Sequence, residues 1–264
     1  MRSADFKIGV SLAVLVAGMS ALSFIYTPYT YNEMEPSLRF IGPSLSHLMG
    51  TDNFGRDVFS RVMIGGRYTL AVSILTVLGS VVMGGSLGLI SGYAGGIWDE
   101  LVMRLMDALT SFPGILSALV MVALMENGPF TLSVALLVLF VPSYVRIMRS
   151  GMLQYKNADF VKTAEIMGAS HIRIIFAHIL PNLTTPLLSA TVLGLSNAIL
   201  AEATMSYLGL GIQPPVPSWG RMLSESQNFL FNAPWCALAP GSMIMLTVIA
   251  FHCIGEGIRQ KARN

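Results

Sequence analysis

The feature that most constrains this chain is a series of long apolar segments that carry almost no charge. Each holds about 20 mostly apolar residues, enough to cross the hydrocarbon core of a bilayer. We place six of them, at Ile8–Tyr26, Thr69–Ile90, Leu101–Leu124, Phe130–Met148, Thr184–Tyr207 and Trp235–Ile254. A helix satisfies its own backbone hydrogen bonds inside lipid. The pattern therefore predicts an all-α polytopic membrane protein with six transmembrane helices.

Composition excludes several other classes of protein. Of 264 residues, 53% are hydrophobic and 11% are charged, with a net charge of +2. A soluble domain carries roughly 25% charged residues, and a disordered chain is far less apolar. No dense basic patch is present, so nucleic acid is not an expected partner. The four histidines are scattered without metal-ligand spacing, so no metal site is predicted.

The basic residues predict how the chain is oriented. With a cytoplasmic N-terminus, eleven of the 16 lysines and arginines fall on inner segments and five on outer ones. Because basic residues favour the cytoplasmic side, both termini are predicted to be cytoplasmic. The predicted parts are a cytoplasmic N-terminus (1–7), a first span (8–26), an external loop (27–68), a transmembrane core (69–258) with a cytoplasmic loop (149–183), and a cytoplasmic tail (259–264).

Small and polar residues within the spans suggest how the helices pack. Four small residues follow one another at intervals of four, which predicts a close helix contact; they are Ser80, Gly84, Gly88 and Gly92. We favour a contact within this chain over one between subunits. Glu202 lies within the fifth span, where a carboxyl group is costly and is usually paired or functional. It is a candidate pathway residue, and a structural bond to a neighbouring helix is an equal alternative.

The predicted cytoplasmic loop contains a short amphipathic helix. Its one apolar face is made by residues at helical spacing: Phe160, Val161, Ala164, Met167 and Gly168. Such a helix either docks into a groove of another protein or lies on the lipid surface. The residues alone leave both interpretations open.

This loop resembles the EAA loop of ABC importer permeases. The family pattern is Glu-Ala-Ala, three residues, Gly, nine residues and Ile-x-Leu-Pro, which here aligns with Lys162, Thr163, Ala164, Gly168, His178, Leu180 and Pro181. The glycine and Leu-Pro spacing is kept. Lys162 and Thr163 depart from Glu-Ala, and His178 replaces isoleucine.

Two further segments resemble the peptide/nickel branch of that family, and specifically its C-type permease. Residues 50–67 resemble GTDxxGRDxxSRxxxGxR, and residues 202–222 resemble EATLSFLGLGxQPPxPSWGxM. The resemblance implies a type I ABC importer permease fold with a cytoplasmic EAA coupling helix. It also implies a multi-pass location in the cell inner membrane.

What the resemblance implies about function is a pore-forming, non-enzymatic subunit of an ATP-driven importer. Its partners would be a homologous B-type permease in a heterodimer, two ABC ATPase subunits that bind ATP and Mg, and an external solute-binding protein. This chain would bind no cofactor itself. Peptides are the favoured substrate, and nickel or a metal chelate such as a metallophore is the alternative.

The resemblance also assigns roles to particular residues. Ala164 and Gly168 would dock into the ATPase groove, with polar contacts from Lys162, Thr163 and Glu165. His178, Leu180 and Pro181 would complete the coupling segment, with His178 ordering the loop. The charged residues Asp52, Arg56, Asp57 and Arg61 would form an external ion-pair network or dock the binding protein, and we favour the network.

Two other functions compete with this interpretation. Gly84 to Gly88 match G-x-S-x-G around Ser86, and His252 lies in another span, which is the minimum for an intramembrane serine protease. That motif belongs on a strand-to-helix turn, whereas here it falls within a helical glycine face. A channel is the third possibility. The chain lacks the G-x-x-x-x-G-K-[ST] pattern, so ATP hydrolysis is assigned to separate subunits.

Overall fold

The computed structural model describes residues 2–125 and 128–262, and these form a helical bundle without a β-strand. Ten α-helices follow in chain order. They are α1 (Arg2–Leu22), α2 (Val58–Ala94), α3 (Gly96–Thr110), α4 (Gly114–Leu124), α5 (Pro129–Tyr155), α6 (Asp159–Ile166), α7 (His171–Arg173), α8 (Leu180–Tyr207), α9 (Trp219–Ser226) and α10 (Trp235–Ala262).

Five helical stretches are long and apolar enough to cross a membrane, and a bent pair makes a sixth. The five are α1, α2, α5, the continuous stretch His171–Tyr207 that joins α7 to α8, and α10. Most extend beyond the predicted apolar segments. The 37 residues of α2 rise about 56 Å, whereas the hydrocarbon core is about 30 Å thick. Helix α2 is therefore longer than the hydrocarbon core is thick, and its ends extend beyond the predicted apolar segment.

The third span, predicted as one helix over Leu101–Leu124, is broken in the structure. Helix α3 ends at Thr110 and α4 begins at Gly114, and the two axes differ by 87°. Pro113 precedes α4 with an extended ψ of 120°. Proline has no N–H to donate and its ring collides with the preceding helical turn, which favours a break between α3 and α4 at this point. Pro142 lies inside α5 without ending that helix.

The fifth span begins thirteen residues before the predicted start at Thr184, because the helix already starts at His171. A π-helical turn over Ile174–Ile179 separates α7 from α8. Pro181 lies in the first turn of α8, a position where its missing N–H costs a helix little. A wider π turn is one of the local adjustments by which a helix accommodates a missing backbone donor.

The small-residue face of α2 packs against α5 of the same chain, as predicted. A Cβ added to Gly84 would lie 2.7 Å from the carbonyl oxygen of Val141, and one added to Gly88 would overlap the carbonyl oxygen of Val145. The Ser80 hydroxyl donates a 3.1 Å hydrogen bond to the Leu137 carbonyl. Backbones that approach this closely leave room only for glycine.

The first and last helices also pack against each other. A Cβ on Gly9 of α1 would lie 2.8 Å from both the carbonyl oxygen of Ala250 and Cβ of Cys253 in α10. A Cβ on Gly257 would lie 2.8 Å from the ring of Phe6. Helices α1 and α10 therefore form a close interface.

Candidate functional site

The segment between α5 and α8 is held by its own apolar side chains. Val161 is fully buried and Ala164 is 7% exposed, and both pack in a core cluster with Met152, Ile174 and Ile179. Apolar burial on one side of α6 thus anchors the segment to the bundle.

Gly168 ends α6 in a turn that favours glycine. The Ala169 N–H donates to the Ala164 carbonyl at 3.0 Å, and the Gly168 N–H donates to Glu165 at 2.9 Å. These two bonds form a Schellman motif, which requires a left-handed residue after the helix. Gly168 has φ +80° and nothing within 4 Å of an added Cβ. Ser170 then caps α7 by accepting from the Arg173 N–H.

The outward surface of this segment is apolar at its tip and polar beside it. Ile166 is 88% exposed and Met167 is 81% exposed, and Ile172 and Phe176 are also largely exposed. Lys162, Thr163 and Glu165 are exposed as well. We call the four apolar side chains, Ile166, Met167, Ile172 and Phe176, the loop tip. Solvent-exposed apolar groups at this density are typical of an interaction surface.

The placement of Ala164 differs from the docking role expected for it. The sequence pattern put Ala164 and Met167 on one face, but the structure buries Ala164 in this chain and turns Met167 outward. The helical turn ends at Met167, whose φ and ψ depart from α-helical values, so the predicted spacing breaks there.

The remaining loop residues occupy the helix that follows. His178 is half-buried in the π turn, and its carbonyl accepts a 2.7 Å hydrogen bond from Nδ2 of Asn182. Leu180 is half-buried and Pro181 is exposed. All three lie at the junction of the π turn and α8.

Several polar contacts tie this segment and α5 to α2 and α3. The Tyr93 hydroxyl lies 2.6 Å from Nδ1 of His171. Lys156 Nζ donates to the Gly92 carbonyl at 3.1 Å. Arg149 donates to both carboxylate oxygens of Asp99, at 2.5 and 2.6 Å. A bidentate pair of this kind fixes orientation as well as distance.

At the other end of α2, the four predicted charged residues lie in a buried network. Arg56 donates through Nε to Asp52 at 2.7 Å, and Arg61 Nε lies 3.8 Å from the same carboxylate. All four side chains, Asp52, Arg56, Asp57 and Arg61, are nearly inaccessible to solvent. Their position favours a structural network over a docking surface.

Asp57 has a separate role within this network. Its Oδ2 accepts from the Ser60 N–H at 2.7 Å and so caps α2, and its Oδ1 lies 2.9 Å from Nδ1 of His47. Capping by an aspartate stabilises a helix start by about 1 kcal/mol. His47 stacks on Tyr29, with ring centroids 4.6 Å apart.

Sequence reasoning missed Glu225, the residue on which this network converges. Its Oε2 accepts from Arg56 at 3.2 Å and from Arg61 at 3.0 Å, and its Oε1 accepts from Arg221 Nε at 3.3 Å. The i,i+4 spacing of Arg221 and Glu225 on a short helix was the only available signal. Nothing in the sequence indicated a contact across more than 160 residues.

Glu202 is fully buried in α8. Its Oε1 accepts a 2.6 Å hydrogen bond from the Ser206 hydroxyl, while its Oε2 has no partner among the residues the structure describes. The Ser206 hydroxyl also accepts from the Ile212 N–H at 3.3 Å. Glu202 therefore bonds within its own helix and, through Ser206, reaches the segment that leads to α9.

The geometry does not favour serine-protease chemistry. Ser86 lies within α2, not on a strand-to-helix turn, and its hydroxyl donates to the Val82 carbonyl at 2.7 Å.

Across residues 2–125 and 128–262, no group of three or more His, Cys, Asp or Glu side chains is placed to hold a metal ion.

These features define a class of protein: a multi-pass helical membrane protein with a partly exposed segment between α5 and α8 and a buried charge network at the opposite end of α2. Residues 84–264 match the family described as "Binding-protein-dependent transport system inner membrane component". The chain belongs to this family of membrane transport permeases.

Two relatives of this chain are also named as transport system permease proteins. The dipeptide transport system permease protein DppC of Alkalihalophilus pseudofirmus is 42% identical over 235 residues, covering 89% of this chain and 77% of that protein. The glutathione transport system permease protein GsiD of Pectobacterium atrosepticum is 40% identical over 218 residues, covering 83% and 72%.

Among solved structures, an inward-facing conformation of the MetNI methionine ABC transporter matches with a TM-score of 0.63 and 18% sequence identity, covering 77% of this chain and 95% of that chain. At this identity the match carries the fold alone. It confirms the predicted type I importer permease fold.

Proposed function

We propose that this chain is a pore-forming permease subunit of an ATP-driven importer that takes up peptides delivered by an external binding protein. The observation that carries the proposal is membership of the binding-protein-dependent transport family, together with relatives named as dipeptide and glutathione permeases. Nickel or a metal chelate is less favoured, because these relatives are named as dipeptide or glutathione permeases.

The proposed assembly contains a homologous permease, two ATPase subunits and the binding protein. ATP and Mg belong to the ATPase subunits. The segment between α5 and α8 faces the cytoplasm in this proposal, with both termini on the same side in the inner membrane. The exposed loop tip supports it, since Ile166 and Met167 are largely exposed and a groove on an ATPase would cover them.

The testing experiment is ATP hydrolysis by the complex reconstituted in nanodiscs with its binding protein. Dipeptides, longer peptides, nickel and nickel–chelator complexes are added in separate arms. We expect peptides to stimulate hydrolysis together with the binding protein. Stimulation by nickel alone would replace the peptide proposal with the nickel alternative, and no stimulation by any ligand would contradict the importer.

A matched pair of variants tests the coupling surface. Met167→Asp puts a charge on the loop tip, and Asn157→Asp puts the same charge on an exposed residue at the start of the loop. We expect Met167→Asp to reduce stimulated hydrolysis at least tenfold and to release the ATPases during purification. Asn157→Asp should do neither, and equal behaviour of the two variants would argue against docking at the loop tip.

A further inference from the structure

One face of α5 carries polar side chains where a membrane-spanning helix is expected to be apolar. Four exposed residues recur there at helical spacing: Ser143, Arg146, Ser150 and Gln154. We call these four side chains the α5 stripe. The first two lie within the predicted fourth span, and the other two follow at its cytoplasmic end. Polar groups within a span face a water-filled cavity or another protein surface, and not lipid.

The hydroxyl groups of the α5 stripe are not satisfied by their own helix. Several serines in the long helices donate to the carbonyl four residues earlier, as Ser73 does to Thr69 at 2.8 Å. The exposed hydroxyls of Ser143 and Ser150 have no hydrogen-bond partner within the part of the chain that the structure describes. Lipid tails offer none either, so the partner must be water, a solute or another subunit.

Ser86 on α2 is a serine that faces the other kind of surroundings. It is exposed beside Val82, Met83 and Ile90, which are exposed apolar side chains of the same helix. Its hydroxyl donates to the Val82 carbonyl at 2.7 Å and needs no outside partner. This is the arrangement expected of a serine that faces lipid. The α5 stripe differs from it both in its polar neighbours and in its unsatisfied hydroxyls.

Three residues of the α5 stripe also line an open groove of about 420 Å³, to which α5 and α8 both contribute. They are Arg146, Ser150 and Gln154, and the lining from α8 consists of Leu183 and Pro186. The groove therefore offers hydrogen-bonding groups from one helix and apolar surface from the other. A peptide, with its amide backbone and mixed side chains, presents both kinds of surface.

The charge of the α5 stripe is balanced within this chain. Nη2 of Arg146 donates to Oδ1 of Asp107 at 3.0 Å and to the Thr110 hydroxyl at 2.9 Å, both on α3. None of the described residues that line the groove is a histidine, cysteine, aspartate or glutamate, and nickel favours such nitrogen and oxygen ligands. This chemistry fits a solute that has no net charge and many hydrogen-bonding groups.

We propose that the α5 stripe lines the cytoplasmic half of the water-filled transport path, where its hydroxyl and amide groups exchange hydrogen bonds with the backbone of a passing peptide of no net charge. The proposal rests on the proposed function, because only a transporting complex holds such a path. It assigns the contact with peptide to Ser143, Ser150 and Gln154, while the pairing of Arg146 with Asp107 holds α3 against this face.

The experiment measures thiol accessibility in the assembled complex in nanodiscs, on a background with Cys236 and Cys253 replaced by alanine. A charged, membrane-impermeant methanethiosulfonate reagent is added, and labelling of this chain is followed by mass spectrometry. Ser143→Cys should react at least tenfold faster than Ser86→Cys, because the reagent modifies thiols in water and does not enter lipid. Its rate should fall at least threefold when ATP and vanadate trap the complex, since an importer must close one side of its path while the other is open.

Ser86→Cys is the matched control because Ser86 and Ser143 lie at the same depth. Two residues beyond each of them, Gly88 of α2 packs against the backbone of Val145 of α5. Equally slow labelling of the two variants would mean that another subunit covers the α5 stripe, and would overturn the proposal. Fast labelling of Ser143→Cys that trapping leaves unchanged would indicate a static crevice and would overturn it as well.

A bulky side chain tests the path directly. Ser143→Trp narrows the path in this proposal and should lower dipeptide uptake at least fivefold. Ser86→Trp adds the same side chain to a face that meets lipid and should keep uptake within twofold of wild type. If Ser143→Trp instead prevents the complex from assembling, the α5 stripe is a subunit contact and the proposal fails.

The outcomes separate the two proposals, because labelling of the resting complex does not depend on a transported ligand. Slow labelling of Ser143→Cys in a complex whose ATP hydrolysis responds to peptide overturns the role of the α5 stripe and leaves the importer intact. An assembled wild-type complex that responds to no ligand contradicts the proposed function itself, whatever its labelling.

Discussion

Glu202 shows how one buried carboxyl group can join separate parts of a membrane protein. It bonds to Ser206 one turn along α8, and Ser206 in turn holds the backbone of Ile212. The sequence indicated that an acid at this depth is paired or functional. The sequence did not show whether Glu202 is paired or functional. Its partner Ser206 lies on the same helix, and the backbone that Ser206 holds, at Ile212, lies in the segment beyond that helix.

A pair of substitutions at Glu202 tests this link. Glu202→Gln keeps an oxygen to accept from Ser206 and should change the free energy of unfolding little. Glu202→Leu leaves the buried Ser206 hydroxyl without that acceptor and should cost about 1–3 kcal/mol. Thermal unfolding of the detergent-solubilised protein measures both. Equal losses in the two variants would mean that the carboxyl makes a contact that an amide cannot replace.

Gly168 is the clearest residue-scale prediction from backbone geometry. Its φ of +80° costs a residue with a Cβ about 1–2 kcal/mol, although the side chain itself would meet open space. Gly168→Ala should therefore lower peptide-stimulated ATP hydrolysis more than Gly168→Asn does, since asparagine tolerates the left-handed region. The reverse order would show that side-chain bulk, and not backbone strain, decides the effect.

At the scale of helices, the α2–α5 contact was predictable and the broken third span was only partly so. Small residues at intervals of four mark a packing face in the sequence itself. A proline such as Pro113 marks where a helix can bend, but an 87° bend depends on how α3 and α4 each pack. The burial of Ala164 depends in the same way on α5 and the π turn, which no local pattern specifies.

Neighbouring glycines on α2 offer a matched test of that contact. A Cβ on Gly85 would lie 3.8 Å from Cγ of Met148, an ordinary contact, whereas one on Gly88 would overlap the Val145 carbonyl. Gly88→Ala should lower the free energy of unfolding by about 1–3 kcal/mol. Gly85→Ala should leave it within about 0.5 kcal/mol. Similar melting temperatures for the two variants would contradict the packing described here.

The link between α2 and the loop is a second element-scale prediction. Tyr93→Phe removes the hydroxyl that contacts His171 and should loosen α7 from the end of α2. We expect more ATP hydrolysed per peptide transported, with the complex still assembled. Tyr155→Phe is the control, since the Tyr155 hydroxyl has no hydrogen bond among the described residues and the substitution keeps the ring that packs near Phe160. A normal ratio in Tyr93→Phe would argue against this link.

For the whole molecule, the membrane class and span number followed from hydropathy, whereas the contacts between distant segments did not. Glu225 joins Arg56 and Arg61 across the chain, and α1 meets α10. Both arise from three-dimensional packing of segments whose sequences carry no mark of each other. Hydropathy indicates whether a segment lies in lipid or in water, but it does not indicate which other segment it contacts.

The α1–α10 interface can be tested by cross-linking. Gly9→Cys places a thiol beside the native Cys253, since a Cβ at residue 9 lies 2.8 Å from Cβ of Cys253. A disulfide needs Cβ atoms about 3.5–4.5 Å apart. A small shift that moves α1 away from α10 would bring the two Cβ atoms to that separation. Oxidation should link the two, as seen by mass spectrometry of proteolytic fragments. Gly18→Cys, with nothing within 4 Å, should not cross-link, and a link there alone would overturn the arrangement.

The same interface sets an order on biosynthesis. Synthesis delivers α1 to the membrane before α10, because chains emerge from their N-terminus. Gly9 and Phe6 therefore cannot meet Ala250 and Gly257 until α10 has been translated. Until then this face of α1 has no helix to pack against, and a ribosome that stops before α10 releases a bundle that lacks this interface.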